Sequence, residues 1–477
     1  MSMTAASREY FSKVAKDWDT IRSGYFTEAV REAAIRKAYL RPEMIVADIG
    51  AGTGYMTAGL APLVKKVYVV DASAEMLEVA RQNLAGFDNL VFELADGLTL
   101  PLPDESLDAI FANMYLHHIP QPLDAIREMV RALRPGGRLI ITDMDRHPYE
   151  WLREELADVW LGFERSEIRD WFEQAGLVNI IVDCSGESCH AESQSPKGIR
   201  GEADISIFVA VGTRRVSGVK EAVQAGYGAV AIAGSSCCSP EMSQNSCCGG
   251  ESEQLISIDE PIGVNFKTDY TLQDQTSIPS EAAEISLGCG NPTALAGLQP
   301  GETVLDVGSG GGIDAFLAAR KVGTEGRVIG VDMTPAMLER ARETARKGGF
   351  TQVEFRFGEA ERLPVEDESV DVILSNCVYN LVEDKGRAFR EAYRVLKHGG
   401  RLEISDMVTD GAFLPGRVSD AQNWPGCIFG ALPEQEYTDL VKQAGFAQVQ
   451  TQRSVSAGKV GGVRMYSIHL KAVKPIQ

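Results

Sequence analysis

Positive charge is in short supply in this chain of 477 residues. Lys and Arg number 47 against 67 Asp and Glu, a formal net charge of −20. That balance repels phosphate backbones and turns the expectation from nucleic acid toward a small-molecule substrate. Long apolar runs are missing too. No segment approaches the length of a membrane-spanning helix, and the start, MSMTAASREYFSKVAKDW, has no basic stretch followed by an apolar core. The expectation is a cytoplasmic protein with no membrane partner. Nine cysteines are too few for the disulfide framework of a secreted scaffold of this length, so most are expected to be thiols. Apolar and charged fractions of 44% and 24% are ordinary for globular protein, and the length allows two or three domains.

What the chain does have, it states twice. DIGAGTG at 48–54 is answered by DVGSGGG at 306–312, DESLD at 104–108 by DESVD at 367–371, and PGGRL at 135–139 by HGGRL at 398–402. The last two pairs share an offset of 263, which marks a tandem duplication. In each copy short apolar runs such as MIVADIG, KVYVVD, LDAIFAN and RLIITD, or TVLDVG, RVIGVD, VDVILSN and RLEISD, alternate with helical stretches. That alternation predicts an α/β fold with a mostly parallel sheet and helices on both faces. Residues 1–213 read as one domain and 261–477 as another. Between them, 214–260 hold a short helical stretch, VKEAVQAGYG, and the run SSCCSPEMSQNSCCGG, and read as a flexible cysteine-bearing leader.

A glycine turn between strand and helix lets backbone approach a ligand closely, and an acid closing the next strand suits ribose hydroxyls. Asp71 and Asp332 stand at that place. The glycines fall as GxGxG (Gly50, Gly52, Gly54 and Gly308, Gly310, Gly312), so the pyrophosphate-binding spacing GxGxxG is absent from both copies. With an acid inside the first strand (Asp48, Asp306) and an acidic stretch before the fourth, both halves resemble class I S-adenosylmethionine-dependent methyltransferases. The resemblance implies two tandem Rossmann-like domains with seven-stranded sheets and a reversed last strand. It implies that Asp71 and Asp332 hold the ribose. Asp96 with Ala95, and Glu359 with Ala360, would lie by the adenine, and Met333 and Asn376 would line the same pocket. For Asn376 the other reading is a polar cap at a strand end.

The copies differ in their cysteines. Cys377 directly follows the strand VDVILSN, Cys289 precedes the glycine strand, and Cys427 follows the fifth; Met114 and Phe163 stand opposite Cys377 and Cys427 in the first copy. Three thiols at the ligand-binding edge suit a soft, thiophilic centre, while each alone reads equally as a small buried hydrophobe. Those segments, LGCGNPTALAGLQPGETVLDVGSGGGIDAFLAARKVG, SNCVYNL and WPGCIFGAL, closely resemble the arsenite methyltransferases over about 218–450. The resemblance implies that Cys289, Cys377 and Cys427 bind arsenic(III) as thiolates, that its lone pair attacks the methyl group, and that a thiol reductant and a detoxification role accompany it. Arsenite or its thiol conjugate is then the substrate. Two other readings stand beside it: a methyltransferase of an organic small molecule, and a thiol-based metalloid-binding protein without turnover.

Several residues stay open. Cys237, Cys238, Cys247 and Cys248 read as a tail or as an arsenic-delivery or redox element. Cys184 and Cys189, placed in the loop between the last two strands of the first copy, could join His190 in a separate thiophilic site, against exposed incidental thiols. His117 and His118 follow the fourth strand, where at most one is expected to serve as a base or substrate contact. His398 reads as a turn residue.

Overall fold

The computed structural model describes residues 5–192, 202–233, 258–260, 270–271, 274, 278–279 and 290–476. The chain forms two compact units, Met1–Arg215 with Leu414–Ser419, and Val216–Phe413 with Asp420–Gln477.

In the first unit the strands are β1 (Ile45–Ile49), β2 (Lys66–Asp71), β3 (Leu90–Leu94), β4 (Leu107–Asn113), β5 (Leu133–Met144), β6 (Leu177–Glu192) and β7 (Glu202–Arg214). They pair in the order β3-β2-β1-β4-β5-β7-β6. All neighbours are parallel except β7, which runs antiparallel to both β5 and β6. The second unit repeats this with β8 (Ile258–Glu260) added at an edge: β9 (Thr303–Val307), β10 (Arg327–Asp332), β11 (Val353–Phe357), β12 (Val370–Asn376), β13 (Leu396–Thr409), β14 (Ala447–Val460) and β15 (Val463–Val473) pair as β11-β10-β9-β12-β13-β15-β14-β8. The expected α/β class and the reversed last strand are both present. Two-sided burial explains the unbroken apolar runs. Val46 and Ala47, successive residues of β1, are both fully buried but belong to different cores, one on each face of the sheet. Helices cover the faces with apolar stripes at helical spacing, such as Ala388, Phe389, Ala392 and Val395 in the helix Lys385–Val395.

In each unit the strand order reverses between the first and fourth strands, and a crevice opens at the carboxyl ends on either side of such a switch point. The glycine turns follow β1 and β9, and Asn113 and Asn376 close β4 and β12.

Two segments differ from the reading of the sequence. Cys184 and Cys189 are not in a loop: both lie inside β6, whose ladder with β7 continues to the pair Glu192 and Glu202. Cross-strand partners share a sheet face. Cys184 pairs with Phe208 and Cys189 with Ile205, and these partners belong to the cores on opposite faces of the sheet. Cys184 is exposed, Cys189 is buried, and His190 is exposed beside Asp204, so the three do not form one thiophilic site.

The second segment is the helix Val219–Ala233, which lies in the second unit. Val219, Val223, Tyr227 and Val230 follow one another at helical spacing and pack against Trp424, Met333 and Met337. The four leader cysteines and Cys289 lie outside the described residues.

Candidate functional site

The second unit has a cleft of about 1070 Å³ at the carboxyl edge of its sheet. Of the residues singled out in that half, Asp306, Gly308, Gly310, Asp332, Met333, Glu359, Ala360, Asn376 and Cys377 line it. The first unit has a matching cleft of about 850 Å³, lined by Asp48, Gly50, Gly52, Asp71, Ala95 and Asp96. Gly54 and Gly312 lie on neither wall. Each caps a helix, and a side chain there would meet Leu84 in one copy and Phe316 and Phe355 in the other, so the third glycine serves helix packing.

The first glycine of each turn is fixed by both conformation and space. Gly308 has φ +72° and a Cβ there would run into Val378; Gly50 has φ +70° and would run into Tyr115. The acids closing β2 and β10 organise the same turns. Asp332 Oδ2 accepts from Gly310 N at 2.9 Å and Oδ1 from Thr334 N at 2.8 Å. Asp71 does the same for Gly52 N and Ser73 N, both at 2.8 Å. A carboxylate has about four acceptor positions, so each acid keeps capacity for hydroxyl donors.

Deeper in each cleft sits the acid inside the first strand. Burial pushes Asp48 up to about 7, and burial with the neighbouring Asp314 and Asp332 raises Asp306. Among the described residues, Asp48 Oδ1 and Asp306 Oδ2 have no hydrogen-bond partner. A buried carboxylate with a spare oxygen on a cleft wall suits a ligand bearing positive charge.

At the mouth of the second cleft, Lys220 Nζ from the helix Val219–Ala233 binds Glu359 Oε2 at 2.5 Å and lies 3.6 Å from Glu361, while Gln224 Nε2 donates to Met333 O at 2.9 Å. Sequence reading passed over Lys220, Gln224 and Glu361, because nothing in the leader's composition ties it to the acidic stretch far along the chain.

Of the cysteines, Cys377 lines this wall and Cys427 lies next to it. Cys377, at φ +62°, is held in the left-handed region by its N–H bonded to Ser405 O at 2.8 Å. Cys427, half-buried and at φ +59°, puts its Sγ 3.7 Å from Cys377 O and 3.4 Å from Tyr227 Oη. The adjacent Cys377 thiol first, and burial second, raise the Cys427 thiol well above its ordinary value. Asn376 donates to Gly290 O at 2.8 Å and to Tyr270 Oη at 2.9 Å. It therefore both lines the cleft and fastens Gly290 at the end of β12. His398 lies elsewhere, at the start of β13, bonded to Pro475 O at 2.8 Å and Glu368 at 2.9 Å, as a turn residue would.

In the first unit, Met114 takes the Cys377 position with φ +50° and the same backbone bond, N–H to Thr142 O at 2.8 Å. The backbone strain belongs to the scaffold, and the thiol is an addition. His117 and His118 are both buried there, and His117 Nδ1 lies 2.7 Å from Asp143 Oδ1.

Comparison with known proteins agrees with this layout. A family model described as a methyltransferase domain matches residues 298–445, and a second one, described in the same words, matches 47–141. The chain is 43% identical over 235 residues to the arsenite methyltransferase of Halobacterium salinarum, covering 48% of this chain and 58% of that protein. It is 38% identical over 204 residues to the arsenite methyltransferase of Aquipseudomonas alcaligenes, 39% of this chain and 58% of that one. With the human arsenite methyltransferase the figures are 40% over 153 residues, 30% and 40%. The matches thus span between 40% and 58% of the length of these relatives. It carries two Rossmann-like methyltransferase domains in tandem and is similar in sequence to arsenite methyltransferases.

Proposed function

We propose that the chain is an S-adenosylmethionine-dependent methyltransferase whose second unit methylates trivalent arsenic held by Cys289, Cys377 and Cys427. The observation that carries this reading is the meeting of Cys427 with Cys377, which lines the second cleft. The cofactor supplies a methyl group on a sulfonium, already bonded to a good leaving group. Asp332 offers acceptors to the ribose hydroxyls, Asp306 faces the cationic end, and Glu359 and Ala360 flank the adenine. In the first unit Asp71, Asp48, Asp96 and Ala95 would do the same.

Three sulfur ligands leave pyramidal arsenic(III) with its lone pair directed outward, and an acceptor atom that carries no proton needs no general base. The chain's task is then positioning, to bring the lone pair in line with the methyl carbon. Transfer raises arsenic formally to the pentavalent state. A thiol reductant returns it to the trivalent state as two thiols become a disulfide. The proposed role is arsenic detoxification.

Incubating the full chain with arsenite, methyl donor and a dithiol, and separating the arsenic species, should give methylated arsenic with matching donor consumption. Binding of both ligands without turnover would instead favour a metalloid-binding protein. Methylated arsenic absent while an organic acceptor is methylated would favour the other enzyme reading.

The raised Cys427 thiol makes a second expectation. Neutral arsenous acid exchanges three hydroxyl groups for three protonated thiols and releases three waters, so no proton is gained or lost. Affinity should stay flat with pH while the thiols are protonated, and fall only as pH rises through their values. The upward shift of Cys427 extends the flat range. Calorimetry of arsenite binding near neutral pH in buffers of different ionisation enthalpy should give the same heat in each, and a buffer-dependent heat would contradict this exchange.

A further inference from the structure

Beside the cofactor cleft of the first unit lies a second cavity of about 480 Å³ that the proposed function does not use. Its walls are largely aromatic, with Tyr10, Phe11, Trp18, Tyr25 and Phe26, and at one side stand His117, His118 and Asp158. These three polar residues are 5%, 6% and 5% exposed. Burying them is costly unless each polar atom has a partner. Yet among the described residues neither oxygen of Asp158 accepts a hydrogen bond, and His118 Nδ1 has no partner either.

The atoms converge. His117 Nδ1 is held by Asp143 Oδ1 at 2.7 Å, which turns Nε2 toward Asp158 Oδ1 at 3.7 Å. His118 Nδ1 stands 3.8 Å from the same oxygen, while the backbone of Ala157 hydrogen-bonds its ring. One donor atom from each of the three residues lies within 4.8 Å of the others. The two nitrogens are too far from the oxygen for hydrogen bonds. They are close to the separation of about 3.4 Å that ligands take around a tetrahedral ion with bonds of ~2.1 Å. A carboxylate behind a histidine, fixing which ring nitrogen faces forward, is the usual support of a metal-bound imidazole.

The duplication argues against a structural origin. The second copy keeps the aspartate, as Asp406, bonded to the backbone N of Asn380 at 3.1 Å just as Asp143 is to the backbone N of His117 at 3.4 Å. At the histidine positions it has Asn380 and Leu381. The scaffold therefore folds without either imidazole.

We propose that His117, His118 and Asp158 form a binding site for a divalent first-row transition metal of the zinc type, with an open coordination position facing the aromatic cavity. Two imidazole nitrogens and one carboxylate oxygen are a donor set for such ions rather than for calcium or magnesium. Phe11, Trp18, Phe26, Met114 and His118 line both this cavity and the cofactor cleft. A molecule with an apolar body and one metal-ligating oxygen or sulfur would thus be held with that atom toward the methyl donor. This last step rests on reading the first unit as a methyltransferase; the metal site does not.

The test reads metal binding without turnover. The full chain, with Cys237, Cys238, Cys247 and Cys248 changed to serine, is stripped with a chelator and titrated with cobalt(II). One equivalent should bind with visible bands of nitrogen and oxygen ligation and no near-ultraviolet thiolate band. Asp158→Asn and His118→Ala should each weaken that binding at least tenfold. X-ray absorption of the zinc(II)-loaded chain should count two imidazoles per ion, a readout that depends on no variant folding. Absence of the nitrogen and oxygen spectrum, its persistence in both variants, or a thiolate-dominated zinc shell would overturn the site.

Discussion

Cys377→Ser and Cys427→Ser should each lower arsenite methylation by more than a hundredfold while cofactor binding to the second unit stays within about twofold of the unchanged chain. The contrast follows from where the two thiols stand. Cys377 is 3% exposed and lines the cleft, but the groups proposed to hold the cofactor are the acids and backbone of the strands and turns around it. Serine differs from cysteine by one atom and tolerates φ +62° or +59° about as well, so the strained backbone at both positions survives. Placing a hydroxyl in that buried spot costs about 1–2 kcal/mol, small against a domain stability of about 5–15 kcal/mol. What serine removes is a soft donor for a thiophilic atom. With two sulfurs left, arsenic keeps an exchangeable oxygen ligand and loses the fixed direction of its lone pair. Isothermal binding of the methyl donor beside product speciation separates the two effects. Retained methylation in either variant would remove that cysteine from the proposed trio.

Much of this was legible in the sequence, for identifiable reasons. The paired motifs fixed the strand ends: Asp71 and Asp332 close β2 and β10, and Asn113 and Asn376 close β4 and β12. Strands buried on both faces need unbroken apolar runs, and such runs are visible without coordinates. Cys377 was legible because it directly follows one.

Other features depend on contacts that no local pattern carries. Lys220 meets Glu359 across 139 positions and Tyr227 meets Cys427 across 200. The helical stretch from Val219 was read in the sequence, but the neighbouring Ser/Cys/Gly-rich run made it look like part of a flexible leader rather than a helix packed on the second unit. Asp158 joins the histidines from a loop about forty residues on, and an aspartate beside Val and Trp gives no sign of being buried. The length of β6 was also hidden: DCSGESCHAE reads as a loop by composition, and only the ladder to β7 makes it a strand.

The unequal halves lead to the second large expectation. Asp332→Asn should raise the methyl-donor concentration needed for arsenite methylation at least a hundredfold, whereas Asp71→Asn should leave the yield and distribution of arsenic products unchanged. Hydrogen bonds from hydroxyls to a carboxylate contribute about 1.5–3 kcal/mol each, so losing the charge under two of them costs about 3–6 kcal/mol of cofactor affinity. An amide oxygen still accepts from Gly310 N, which keeps one of the two bonds that the carboxylate gives the turn, while the bond from Thr334 N is lost. The same loss strikes the first unit in Asp71→Asn, but the proposed arsenic ligands are not there. Met114 replaces the cleft thiol, Phe163 the second one, and Cys184 and Cys189 face opposite sides of the sheet. Donor binding measured by calorimetry should show one of two sites lost in either variant, which keeps the chemistry separate from the binding. If Asp71→Asn instead removed the more highly methylated arsenic products, the first unit would also be acting on arsenic, through ligands other than that cysteine pair.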